Sequence, residues 1–78
     1  MIVEIISPDK IIYNGSCKVV QLPGVDGSFE ILNNHAPLIS ILDKGRIRVV
    51  DEKDHESFFA VNGGVIEVLN NTVKILAE

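Results

Sequence analysis

The side chains most able to do chemistry stand between residues 24 and 35. Gly24-Val25-Asp26-Gly27-Ser28 sets two glycines three apart beside a hydroxyl, and His35 follows Asp26 and Glu30 at short range. A glycine-spaced loop can cradle phosphate with backbone N–H groups, and a histidine near carboxylates can relay protons. The first chemistry needs a Gly-Lys-Ser/Thr ending and a helix whose N-terminus meets the anion, and neither is written here. The second needs a nucleophile within reach of the base and a third group to orient it, and no such set accompanies His35. The spacing instead predicts a hairpin in which Gly24 and Gly27 supply positive φ, and a turn histidine that caps a backbone carbonyl. His55, inside the charged run "DEKDHE", is expected in solvent.

Metal chemistry fails the same test. Two distant histidines and the lone Cys17 offer no zinc-ligand spacing. Cys17, beside Lys18, reads as a small buried apolar group, and one cysteine supports no disulfide framework, which fits a reducing compartment. Asn14-Gly15-Ser16 and Asn70-Asn71-Thr72 match the glycosylation triplet, but the opening "MIVEIISPDK" lacks a basic secretory n-region, so both are expected to be turns. A net charge of −4 with scattered lysines and arginines argues against a nucleic-acid partner. No apolar run is long enough to span a bilayer, so a soluble chain is expected. No cofactor, metal or catalytic residue follows from these residues.

The elements that must position these side chains read as strands. In 78 residues a single core is only marginally sufficient, and the 46% hydrophobic content is enough to build it. "MIVEIIS", "KIIYNG", "SCKVVQL", "SFEIL", "LISIL", "RIRVV", "SFFAV", "VIEVL" and "TVKILAE" are strand-length runs bounded by Pro8, Asn14-Gly15, Pro23-Gly24, Asn33-Asn34, "DKG", "DEKDHE", "NGG" and Asn70-Asn71. No window repeats apolar residues at helical spacing. Strands recurring between turn signals predict one all-β domain over residues 1–78, a sandwich or barrel. Gly63-Gly64 predicts a bulge or a close backbone approach.

"GVDGSFEILNNHAPL" resembles the G-x-x-G-x-x-x-x-L-x-x-H-x-P signature of the epsilon subunit family of F-type ATP synthases, called delta in mitochondria, through Gly24, Gly27, Leu32, His35 and Pro37. The resemblance continues at "ISPDKIIYNG", "GRIRV", "FAVNGGVIEV" and "TVKILAE", in register along the whole chain. Family members commonly carry Pro-Gly where Asn33-Asn34 stands; asparagine tolerates the left-handed conformation, so the turn is expected to survive.

What this resemblance implies is a flattened antiparallel sandwich of two five-stranded sheets, acting as a non-catalytic rotor part of the central stalk of a proton-translocating ATP synthase. Its partners would be the gamma subunit and the membrane ring. Val25, Asp26, Gly27 and Ser28 would face the ring, and His35, Ala36, Pro37, Leu38 and Ser40 would face gamma. The place would be the cytoplasmic face of a bacterial inner membrane, with membrane contact only through the complex. Longer members continue into a helical hairpin that can restrain hydrolysis and bind ATP. This sequence stops at Ala77-Glu78 with no C-terminal helical hairpin, so ATP binding is not expected of it. The rival is a free-standing sandwich binding a small molecule or sugar. Against it, aromatics are 5% and tryptophan is absent.

Overall fold

Apolar residues alternating with polar ones become strands throughout the computed structural model, which describes residues Met1–Glu78 and contains no helix. The elements are β1 (Ile2–Ile6), β2 (Ile11–Gly24), β3 (Gly27–Leu32), β4 (Leu38–Leu42), β5 (Gly45–Asp51), β6 (Glu56–Val61), β7 (Gly64–Leu69) and β8 (Thr72–Ala77). The first layer runs β2–β1–β8–β7–β4, and the second runs β3–β2–β5–β6 with the end of β4 bridging to Gly24. β2 and β4 thus serve both layers, and the sandwich expected from the sequence is present. One pairing departs from the antiparallel rule: β1 lies parallel to β8. The first and last strands need no turn between them, so nothing forces them to oppose.

The 14 residues of β2 were divided in sequence by Asn14-Gly15, yet the strand runs through that pair, with Asn14 opposite Glu4 and Gly15 opposite Val3. The expected turn is absent. Neither residue has positive φ, and the Tyr13 ring covers Gly15, where an added Cβ would sit 3.3 Å from the Tyr13 hydroxyl. An aromatic laid over a strand glycine replaces the packing that glycine lacks. The break falls three residues later, as a register shift between Cys17 and Val19. A bulge bends and twists its strand, which lets β2 leave one layer and enter the other.

The inner faces meet in a cluster of 16 buried residues drawn from both layers, including Val3, Ile5, Leu22, Ile31, Ile47, Ile66 and Ile75. Cys17 lies within it, as its strand position implied, and burial pushes its thiol pKa up. Asn70 and Asn71, at φ 51 and 58, close a two-residue hairpin between Leu69 and Thr72, so the second triplet is a turn as expected. Gly64 answers the close-approach alternative: a Cβ there would lie 2.3 Å from the Leu76 carbonyl oxygen.

Candidate docking surface

The β2–β3 hairpin reaches its tip at Val25-Asp26, with Gly24 opposite Gly27. Val25, Asp26, Gly27 and Ser28 are all exposed. Gly27 takes φ 123 as expected, with open space where a Cβ would stand. Gly24 does not supply positive φ. Its need is steric, since a Cβ would meet the Gly27 carbonyl oxygen at 2.6 Å and the Phe29 ring at 2.8 Å. The tip is moored to its neighbour by Val25 N donating to Ile41 O at 3.3 Å and Asp43 N donating to Pro23 O at 2.7 Å. A projecting loop tied to the end of β4 by two backbone bonds is held against bending on that side.

The loop from Asn33 to Pro37 lies at the other end of β4. Asn34 adopts φ 62, the left-handed conformation that asparagine tolerates. Asn34 N donates to Asn71 Oδ1 at 2.7 Å, and Asn33 Oδ1 accepts from the Met1 nitrogen at 2.7 Å. His35 N donates to Leu32 O, and His35 Nδ1 donates to the Ala36 carbonyl at 2.7 Å, the carbonyl-capping role read from sequence. His35, Ala36 and Pro37 are exposed. The tip and this loop are therefore separated by the length of β4, five residues or about 16 Å at strand rise. They do not form one site.

Within β4 the pleat sorts the residues. Leu38 packs against the core and Ser40 is half-buried, while Ile39 and Ile41 project outward at 73% and 61% exposure. Register carries Ile41 onto Val65, Val65 onto Leu76 and Leu76 onto Ile6, an apolar row across four strands. The next row is Ile39, Glu67, Lys74 and Glu4, so alternating charges run beside the apolar one. Leu69 and Ile2 extend the same exposed face. Contiguous exposed apolar area of this kind on a small domain marks an interaction surface. Alternation in "LISIL", "VIEVL" and "TVKILAE" marks each outward residue, but their union into one row depends on the lateral order of the strands.

The remaining candidates lie away from the tip and the apolar face. His55 is exposed and lies 3.5 Å from the Asp51 carboxylate. The backbone N–H of His55 and, less strongly, that of Lys53 hold the Asp51 pKa below its ordinary range. No group of three or more His, Cys, Asp or Glu is placed to hold a metal. Tyr13, Phe29 and Phe59 pack against the core, with Tyr13 and Phe59 centroids 5.1 Å apart, and the space between the layers is filled by the core.

Over residues 1–78 the sequence matches the family described as the ATP synthase, Delta/Epsilon chain, beta-sandwich domain. It is 41% identical to the ATP synthase epsilon chain of Alkalilimnicola ehrlichii over 76 residues, 97% of this chain and 54% of that relative. It is 38% identical to the ATP synthase epsilon chain of Brevibacillus brevis over 78 residues, all of this chain and 59% of that one. The chain thus spans little more than half the length of these relatives. Its fold is shared with a chain of the Euglena gracilis mitochondrial ATP synthase OSCP/F1/c-ring structure, at TM-score 0.93 and 19% identity, covering 99% of this chain and 49% of that one. A chain of the Tetrahymena thermophila mitochondrial ATP synthase central stalk/c-ring structure gives 0.82 at 22% identity, covering 99% and 62%.

Proposed function

The chain belongs to the ATP synthase delta/epsilon β-sandwich family, and from that membership we propose that it is a non-catalytic part of the rotating central stalk of a membrane-associated ATP synthase. In this role it docks on the gamma subunit and on the polar loops of the membrane ring, and helps couple proton flow to ATP synthesis at the cytoplasmic face of a bacterial inner membrane. Beside that membership, the observation that supports the proposal is the division of the exposed surface into two unlike regions. The tip at Val25 to Ser28 is small and moored, and presents Asp26 and Ser28 beside the exposed Val25, suited to polar loops. The outer face of the first layer, with Ile39, Ile41, Val65 and Leu76 exposed, is broad and apolar, suited to a permanent partner.

Gamma is assigned to that broad face. His35, Ala36 and Pro37 border it, and Leu38 and Ser40 support Ile39 and Ile41 from within. The ring is assigned to the tip, where Asp26 supplies the charge. A torque-transmitting part needs rigidity, and two layers sharing β2 and β4 around one close-packed core resist shear between them. Co-purification with gamma tests the proposal. The 78-residue chain should retain gamma through gel filtration, and failure to retain it at micromolar concentrations would refute the assignment.

A further inference from the structure

On the outer face of the second layer, away from the apolar face assigned to gamma, Gln21, Pro23, Ser28, Arg46, Arg48 and Phe58 line a recess of about 230 Å³. We propose that this recess binds one oxyanion group, a phosphate or a carboxylate. Register places the side chains on one surface: Gln21 stands opposite Arg48, Arg48 opposite Phe58, and Pro23 opposite Ser28. The Arg46 guanidinium lies 4.5 Å from the centroid of Phe58. That stacking holds the planar fork over the recess, and no carboxylate of the chain pairs with it. Arg48 is oriented by its Nε, which donates to Glu56 Oε2 at 2.5 Å, so its two terminal nitrogens remain as donors. Gln21 Nε2 donates to Ser28 Oγ at 3.2 Å, leaving a second amide hydrogen and the hydroxyl hydrogen to bond an anion.

The chemistry is that of a fork with auxiliaries. Guanidinium groups match the paired oxygens of phosphate and carboxylate, and a neutral amide and hydroxyl complete the shell. A volume of about 230 Å³, close to eight water molecules at about 30 Å³ each, holds one phosphate or carboxylate together with several waters. Two carboxylates border the recess. Glu56 is engaged by Arg48, and Glu30, opposite Gln21, is not among the lining residues. The free positive charge is thus concentrated on Arg46. This site does not depend on the stalk assignment, although Ser28 is shared with the tip.

The test is an NMR titration of the isotope-labelled 78-residue chain with sodium phosphate and, separately, sodium acetate, each against sodium chloride at equal ionic strength. Saturable shifts are expected at Ser28 and Gln21 and at the arginine side chains of Arg46 and Arg48. Arg46→Ala should weaken binding about tenfold or more, the share of one charge-assisted hydrogen bond. Glu56→Gln, which releases Arg48, should tighten it. Saturation by phosphate alone upholds the site and identifies phosphate as its ligand, and saturation by acetate alone upholds it for carboxylates. Shifts no greater than those in chloride, or saturable binding that survives Arg46→Ala, would overturn the proposal.

Discussion

Gly15→Ala separates two accounts of β2 by the sign of its effect. In a continuous strand glycine is disfavoured relative to alanine by roughly 0.5–1 kcal/mol, because the unfolded chain has more freedom to lose. The added methyl meets only the Tyr13 ring, with the hydroxyl at 3.3 Å, and that half-buried side chain can shift by the few tenths of an ångström required. Subtracting a small cost for this shift leaves a net gain of about 0.5 kcal/mol. For a domain of this size the gain raises the melting temperature by roughly 2–4 °C. If Asn14-Gly15 were instead a turn with Gly15 left-handed, alanine would cost about 1–2 kcal/mol. The melting temperature would then fall by roughly 4–16 °C. Calorimetric melts of both proteins at one pH decide it, and a fall of more than about 4 °C refutes the single shared strand.

Gly64→Ala, whose methyl would overlap the Leu76 carbonyl at φ 153, is expected to cost about 3 kcal/mol or more from overpacking and backbone strain, read in urea unfolding. Asp26→Lys, at an exposed tip, should change stability by less than about 0.5 kcal/mol; in reconstituted membranes it should nonetheless alter proton pumping, and normal pumping would place Asp26 away from the ring. ATP should produce no saturable heat at micromolar concentrations in isothermal titration of this 78-residue chain: Gly24 to Ser28 carries no lysine to meet phosphates, and the recess at Arg46 offers a single phosphate group only one unpaired cation. Asp51 has a folded pKa below its unfolded value of about 3.9, so its contribution is complete above that pH and is lost as pH falls through the folded pKa. Asp51→Asn should therefore flatten the acid limb of the stability curve below about pH 4.

Much of the fold is legible because strand pattern and turn chemistry agree: "VIEVL" and "TVKILAE" alternate cleanly, and Asn70-Asn71 between them turns by left-handed φ. Asn14-Gly15 misleads because its turn chemistry is overridden by pairing with β1, which is nonlocal to the dipeptide, and by the adjacent Tyr13 ring, which lies over Gly15 only in the extended strand. Gly24 was legible as required but not why, since the Phe29 ring that excludes a Cβ arrives only when the hairpin closes. The tip was legible for the opposite reason, as a short loop between glycines with nothing to bury it. The apolar outer face was hidden by its assembly from β4, β7, β8 and β1, whose lateral order only the folded chain reveals.

Affinity for isolated gamma tests the central claim most directly, measured for the native chain and for one charge placed on each face. Ile41→Asp sits on the face assigned to gamma and Leu32→Asp on the exposed side of β3, at 61% and 53% exposure, so neither should unfold the domain. A central apolar contact is worth about 2 kcal/mol or more, so Ile41→Asp should weaken binding roughly thirtyfold while Leu32→Asp leaves it within about twofold. Equal affinities for the native chain and Ile41→Asp, or a larger loss with Leu32→Asp, would contradict the docking face.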